Sequence, residues 1–142
     1  MTSWLACAAF AALATPAVAQ STETPESILH QAIAAVERDG GAVLAPVWRA
    51  RAGRDPRDRA AIFGLAELAR RTSDVDGARR LYASLFAPDA RSSDAWSTYA
   101  RLELAQMLDA LSIPTESLAE YERALHEAAA RRDDLARGRA WV

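Results

Sequence analysis

From Thr24 onward the apolar residues recur at the three- and four-residue spacing of an amphipathic helix, and no stretch alternates as a half-buried strand does. Gly, Pro, Ser or Asp interrupts this pattern at Gly40-Gly41, Gly53, Thr72-Ser73-Asp74, Pro88-Asp89 and Ser112-Ile113-Pro114. Thr24-Pro25-Glu26 has the form of a helix start, with a capping hydroxyl, a proline in the first turn and an acid near the positive end of the helix dipole. Asp55-Pro56-Arg57-Asp58 repeats the device, with Asp55 as the expected cap. The punctuation predicts about six helices of roughly 11 to 18 residues, joined by loops of about two to six. Helices this short and this tightly connected pack as antiparallel neighbours, so the expected fold class is all-α.

The first residues follow a different pattern. Residues 4–14 form an apolar run of signal-peptide length, and Ala17-Val18-Ala19 before Gln20 gives a small-x-small cleavage signature. Residues 1–19 therefore read as a signal peptide and 20–24 as a spacer. The run is too short to cross a bilayer, and no other apolar run of the mature chain is long enough to do so. Met1-Thr2-Ser3 has no basic side chain, which leaves open a true start further upstream. Leu5-Ala6-Cys7-Ala8 has the look of a lipoprotein box, but Cys7 is followed by twelve mostly apolar residues and not by a polar tether. Cleavage after Ala19 removes the only cysteine. An exported chain, periplasmic or extracellular, with no thiol to mispair is the expectation.

Set against itself at an offset of 34 residues, the helical region places Ile28 on Ile62 and then Trp96, Ala32 on Ala66 and then Ala100, and Trp48 on Tyr82. The phase carries into the last expected helix only with five added residues, which align Tyr82 with Tyr121, Leu85 with Ala124 and Phe86 with Leu125. Those extra residues fit within a long helix over 94–111.

On these residues the chain resembles the tetratricopeptide repeat (TPR) family, a helix-turn-helix unit of about 34 residues. Trp96 with Ala100, Ile62 with Ala66, and Ala78 with Tyr82 match the family's bulky-small and small-aromatic pairs, and Pro56 stands where a proline commonly closes the unit. Leu44 and Ser117 depart from the pattern. The resemblance implies a TPR-like α-solenoid with right-handed superhelical stacking, in units 25–58, 59–92 and 93–131 and the start of a fourth at 132–142. Its groove is lined by the first helix of each unit and binds a peptide or protein partner. Phased this way, Leu29, His30, Ile33 and Glu37, then Phe63, Glu67, Arg70 and Arg71, then Ser97, Thr98 and Arg101 face the groove. Leu29, Ile33 and Phe63 carry a second reading, in which they pack against the neighbouring unit. Some members of the family grip a C-terminal carboxylate with Lys and Asn, and this chain has neither residue.

The absence of lysine also narrows the chemistry. All 17 basic residues are Arg, so P-loop phosphate binding, the kinase lysine and Schiff-base formation are excluded, and one Cys with two His cannot build a structural zinc site within the chain. A net charge of −2 and no aromatic residues among the arginines argue against nucleic-acid binding. The charge is uneven: residues 49–59 carry five Arg against two Asp, and residues 103–127 carry six acids against Arg123. That contrast favours head-to-tail contact or partner steering, or reflects solvated faces with local pairs such as Glu67 and Arg71. His126-Glu127 begins like a zinc-protease motif but has Ala130 where the second His belongs. Glu67 and Glu103 are the acids placed to meet as an acid-base pair, the alternative being a solubilising role. No catalytic residue, metal or cofactor is therefore expected.

Residues 135–142 begin what reads as another first helix and stop at Trp141-Val142, where a solenoid would carry a polar cap. The chain thus reads as the N-terminal part of a longer protein. Two functions follow: a non-catalytic protein-protein interaction scaffold, or the recognition arm of an exported enzyme, such as a caspase-like protease or other hydrolase, whose catalytic domain lies beyond residue 142.

Overall fold

The computed structural model describes residues 23–131. The expected signal peptide, residues 1–19, and the expected start of a fourth unit, residues 132–142, lie outside them. Six helices follow one another: α1 (Pro25–Asp39), α2 (Leu44–Arg54), α3 (Arg59–Arg71), α4 (Val75–Ser84), α5 (Ala95–Ala110) and α6 (Pro114–Arg131). Among the described residues there is no strand, and no helix is long and apolar enough to cross a membrane.

The helix ends follow from local chemistry. Thr24 and Ser27 form a reciprocal capping box on α1, and Gly40 closes the helix in the left-handed region at φ 66°. Asp74 and Asp94 cap α4 and α5 by accepting the N–H of the residue three positions on. Two expectations are corrected. Gly53 does not end α2, which runs on to Arg54, and Asp55 is the C-cap of that helix and does not cap the next. Asp58 caps α3, its carboxylate accepting from the N–H of Ala61 at 2.9 Å. The side chain of Asp55 is turned instead to the N–H of Arg57, so Pro56 belongs to the turn and not to the helix.

The alanines aligned at 34 residues, Ala32, Ala66 and Ala100, are all fully buried, as are Trp48 and Tyr82 to within 1%. Small side chains there let α1, α3 and α5 approach closely. The units are not identical, however. α1 and α3 begin 34 residues apart, at Pro25 and Arg59, while α5 begins at Ala95, 36 residues after α3, because a longer loop over 85–94 intervenes. At 16 residues against 13, α5 absorbs part of the added length.

α3 packs on α4 and α5 packs on α6 as helical pairs, whereas α2 packs mainly against α3 and not back along α1. The reason is visible at Gly64, where a Cβ would lie 2.6 Å from the ring of Trp48, so the indole of α2 sits directly on the bare backbone of α3. Gly41, at φ 81°, similarly clears room for Leu68. The first unit is thereby docked onto the second, and α1 reaches across to α5 through a hydrogen bond from the Tyr99 hydroxyl to Glu26. The result is an all-α, repeat-like stack with its core between the odd-numbered helices and their partners.

Candidate functional site: a cleft between α1 and α3 and two buried charge clusters

Four of the residues phased to the groove do converge. Ile33 and Glu37 of α1, with Val36, face Arg70 and Arg71 at the end of α3 across a cleft of about 380 Å³. The apolar floor comes from α1 and the guanidinium wall from α3. Leu29 is half-buried against the core and His30 is exposed.

Behind that wall lies Glu67, with 0% of its surface exposed. The hydroxyl of Tyr82, from α4, donates to one carboxylate oxygen of Glu67 at 2.6 Å. The other oxygen has no hydrogen bond and lies 3.4 Å from Arg71 and 3.7 Å from Arg70. Arg70 spends its closest contact on Glu103 of α5, at 2.5 Å. Two buried carboxylates, Glu67 and Glu103, therefore both face the guanidinium of Arg70. Burial, followed by the Glu103 charge, pushes the Glu67 carboxyl up to about 7, against the opposing pull of Tyr82 and the two arginines. The Tyr82 phenol is held well above its ordinary range by burial and by the adjacent Glu67.

This has a consequence for stability. Glu67 binds its proton more tightly in the folded chain than at its ordinary value of 4.5, so the contribution is fully present below pH 4.5 and is lost as pH rises towards about 7. The loss is about 3 kcal/mol at full effect. Urea titrations at a series of pH values should show it as a decline in wild-type stability relative to Glu67→Gln across that window; parallel curves would refute the raised carboxyl. The capping Asp58, whose pKa is lowered, acts in the opposite direction at more acid pH, where its contribution is lost as pH falls.

Ser97, Thr98 and Arg101 also meet, but inside the α5-α6 interface. Glu127 accepts from Ser97 at 3.1 Å, Thr98 at 3.0 Å and Arg101 at 2.7 Å, and Arg101 reaches Glu120 at 2.7 Å while lying 4.0 Å over the ring of Phe86. Thr98 also receives a hydrogen bond from Arg131. Phe63 is equally internal, edge-on to Tyr82 and Trp96 at centroid distances of 6.2 and 5.7 Å. The placement of Phe63, Glu67, Ser97 and Thr98 on an open groove is thus corrected: each is completely buried. For Phe63 the packing reading holds.

The charge contrast along the chain shrinks for the same reason. Glu103, Glu120 and Glu127 are buried against arginines of α3 and α5, while Arg51 and Arg59 pair with Glu23, Asp58 and Asp94. His126 is exposed beside the buried Glu127, and among the described residues no three His, Cys, Asp or Glu side chains are grouped to hold a metal. The roles of Glu120 and Glu127 are absent from the sequence reading, although one signal exists. They recur at a seven-residue spacing on the face of α6 that also carries Ser117, Ala124 and Ala128, and an acid on an apolar helix face requires a buried partner.

Comparison of the chain with family models, with curated proteins and with solved structures returned no match.

Proposed function

We propose that the chain is a non-catalytic, exported interaction scaffold of the TPR type, its helix pairs stacked as a right-handed solenoid, which binds an extended peptide or a segment of a protein partner between α1 and α3. The observation that carries this reading is the convergence of Ile33, Glu37, Arg70 and Arg71, residues from two repeat units, on one cleft with an apolar floor and charged rims. Export rests on the leader pattern ending at Ala19.

Panning a random-peptide phage library against the chain tests the cleft. Enriched peptides should lose about tenfold or more in affinity on Ile33→Asp, and Glu37→Arg, on the exposed rim, should alter which peptides are selected. Enriched peptides that bind both variants like wild type, with helical circular dichroism unchanged, would remove the cleft from consideration.

A further inference from the structure

Resting on the peptide-binding reading, we propose that the α1-α3 cleft takes a carboxylate of an acidic peptide and that a proton on Glu67 controls access to it, by releasing Arg71. Three carboxylates, Glu37 from α1, Glu67 from α3 and Glu103 from α5, surround two guanidiniums, Arg70 and Arg71. With Glu67 ionised, Arg71 is drawn to the buried carboxylate and away from an anion in the cleft. Glu67 is the member that can lose its charge most readily, because it is completely buried and has one oxygen with no hydrogen bond.

The two arginines differ in how firmly they are held. Arg70 is fixed by its 2.5 Å contact with Glu103. Arg71 has a single described ion pair, with Glu67 at 3.4 Å, and lines the cleft with its side chain 28% exposed. A proton on Glu67 removes that ion pair and frees the Arg71 guanidinium to meet an anion over the apolar floor of Ile33 and Val36, with Glu37 on the opposite rim. The neutral carboxyl keeps its place because the Tyr82 hydroxyl still holds it from α4. From α2, the Trp48 ring sits on Gly64, and Arg49 lines a separate pocket with Leu68, Ala69 and Thr72. Binding an anion then draws a proton onto Glu67, so affinity and proton uptake are linked.

Isothermal titration of the chain with an Ala-Glu repeat peptide and its Ala-Gln counterpart tests this. With both peptides acetylated and amidated at their ends, the glutamates stay ionised between about pH 6 and about pH 8 and no other peptide group titrates there. The acidic peptide should bind about tenfold more tightly at about pH 6 than at about pH 8, with uptake of up to one proton seen as a dependence on buffer ionisation heat. Glu67→Gln should bind it tightly and almost independently of pH. His30→Gln should keep the pH dependence, which separates Glu67 from the exposed imidazole on α1. Tyr82→Phe removes a hydrogen bond that favours the ionised carboxylate and should move the transition to higher pH; it serves as the second reading if Glu67→Gln does not fold. Equal affinity for the two peptides, binding of the acidic one without proton uptake, or loss of the pH dependence in His30→Gln would overturn the proton-controlled anion site. Failure of every library-selected peptide to compete at the cleft would instead overturn the binding reading beneath it.

Discussion

Phe63→Ala lowers the unfolding free energy by about 3 to 5 kcal/mol, the expected cost of deleting a fully buried aromatic ring whose neighbours cannot close the gap. The ring has 0% exposure and is held edge-on between Tyr82 and Trp96, so the cavity would open at the junction of α3, α4 and α5. Loss of the two aromatic contacts adds to the lost burial. The same ring on an open groove would cost almost nothing on removal. Equilibrium denaturation by urea, with the slope against denaturant compared between variants, distinguishes the cases: a loss below about 1 kcal/mol at unchanged slope would place Phe63 outside the core.

Arg101→Met is the second large effect, expected at about 3 to 5 kcal/mol, because it deletes the cation that lies between two buried carboxylates. Methionine retains much of the packing on Phe86 while supplying no charge. Glu127 would keep only the hydroxyls of Ser97 and Thr98, and Glu120 would keep Arg123. Glu127 is nearly inaccessible to water, which is why its desolvation is not recovered on the variant. The added substitution Glu127→Gln removes the uncompensated charge and should restore part of the lost stability. A double variant less stable than Arg101→Met by the full cost of Glu127→Gln alone would show that the pair is not coupled.

These two residues mark where a sequence of this kind stops being legible. Phe63 and Arg101 stand at the groove phase of a repeat, and a repeat phase specifies which way a helix face points only if every unit stacks alike. Here they do not: Trp48 seats α2 on Gly64, α1 reaches α5 through Glu26 and Tyr99, and the face expected to be open along α3 and α5 is closed for much of its length. Glu37, Arg70 and Arg71 escape this closure because they lie near the C-terminal ends of α1 and α3, beyond the close approach at Ala32 and Ala66, and Ile33 joins them from the middle of α1. Asp55 illustrates the same limit on a smaller scale. Both it and Asp58 are competent caps by chemistry, and the choice between them depends on where α2 ends and on Arg51, which binds Asp58 at 2.8 Å.

What the sequence determined by itself is what short-range forces determine: the helical class, the boundaries at Thr24, Asp74 and Asp94, and the buried alanines at a 34-residue spacing. Caps and helical periodicity act over one or two turns and can be read from neighbours in the chain. Tertiary structure decided which charges are inside. Glu67 and Glu103 are 36 residues apart, and nothing along the chain between them announces that both are buried and share Arg70. Burial depends on which helix covers a given face, and that is fixed by side-chain fit between distant segments, a Trp ring on a Gly backbone being the clearest case, and not by the local pattern of either segment.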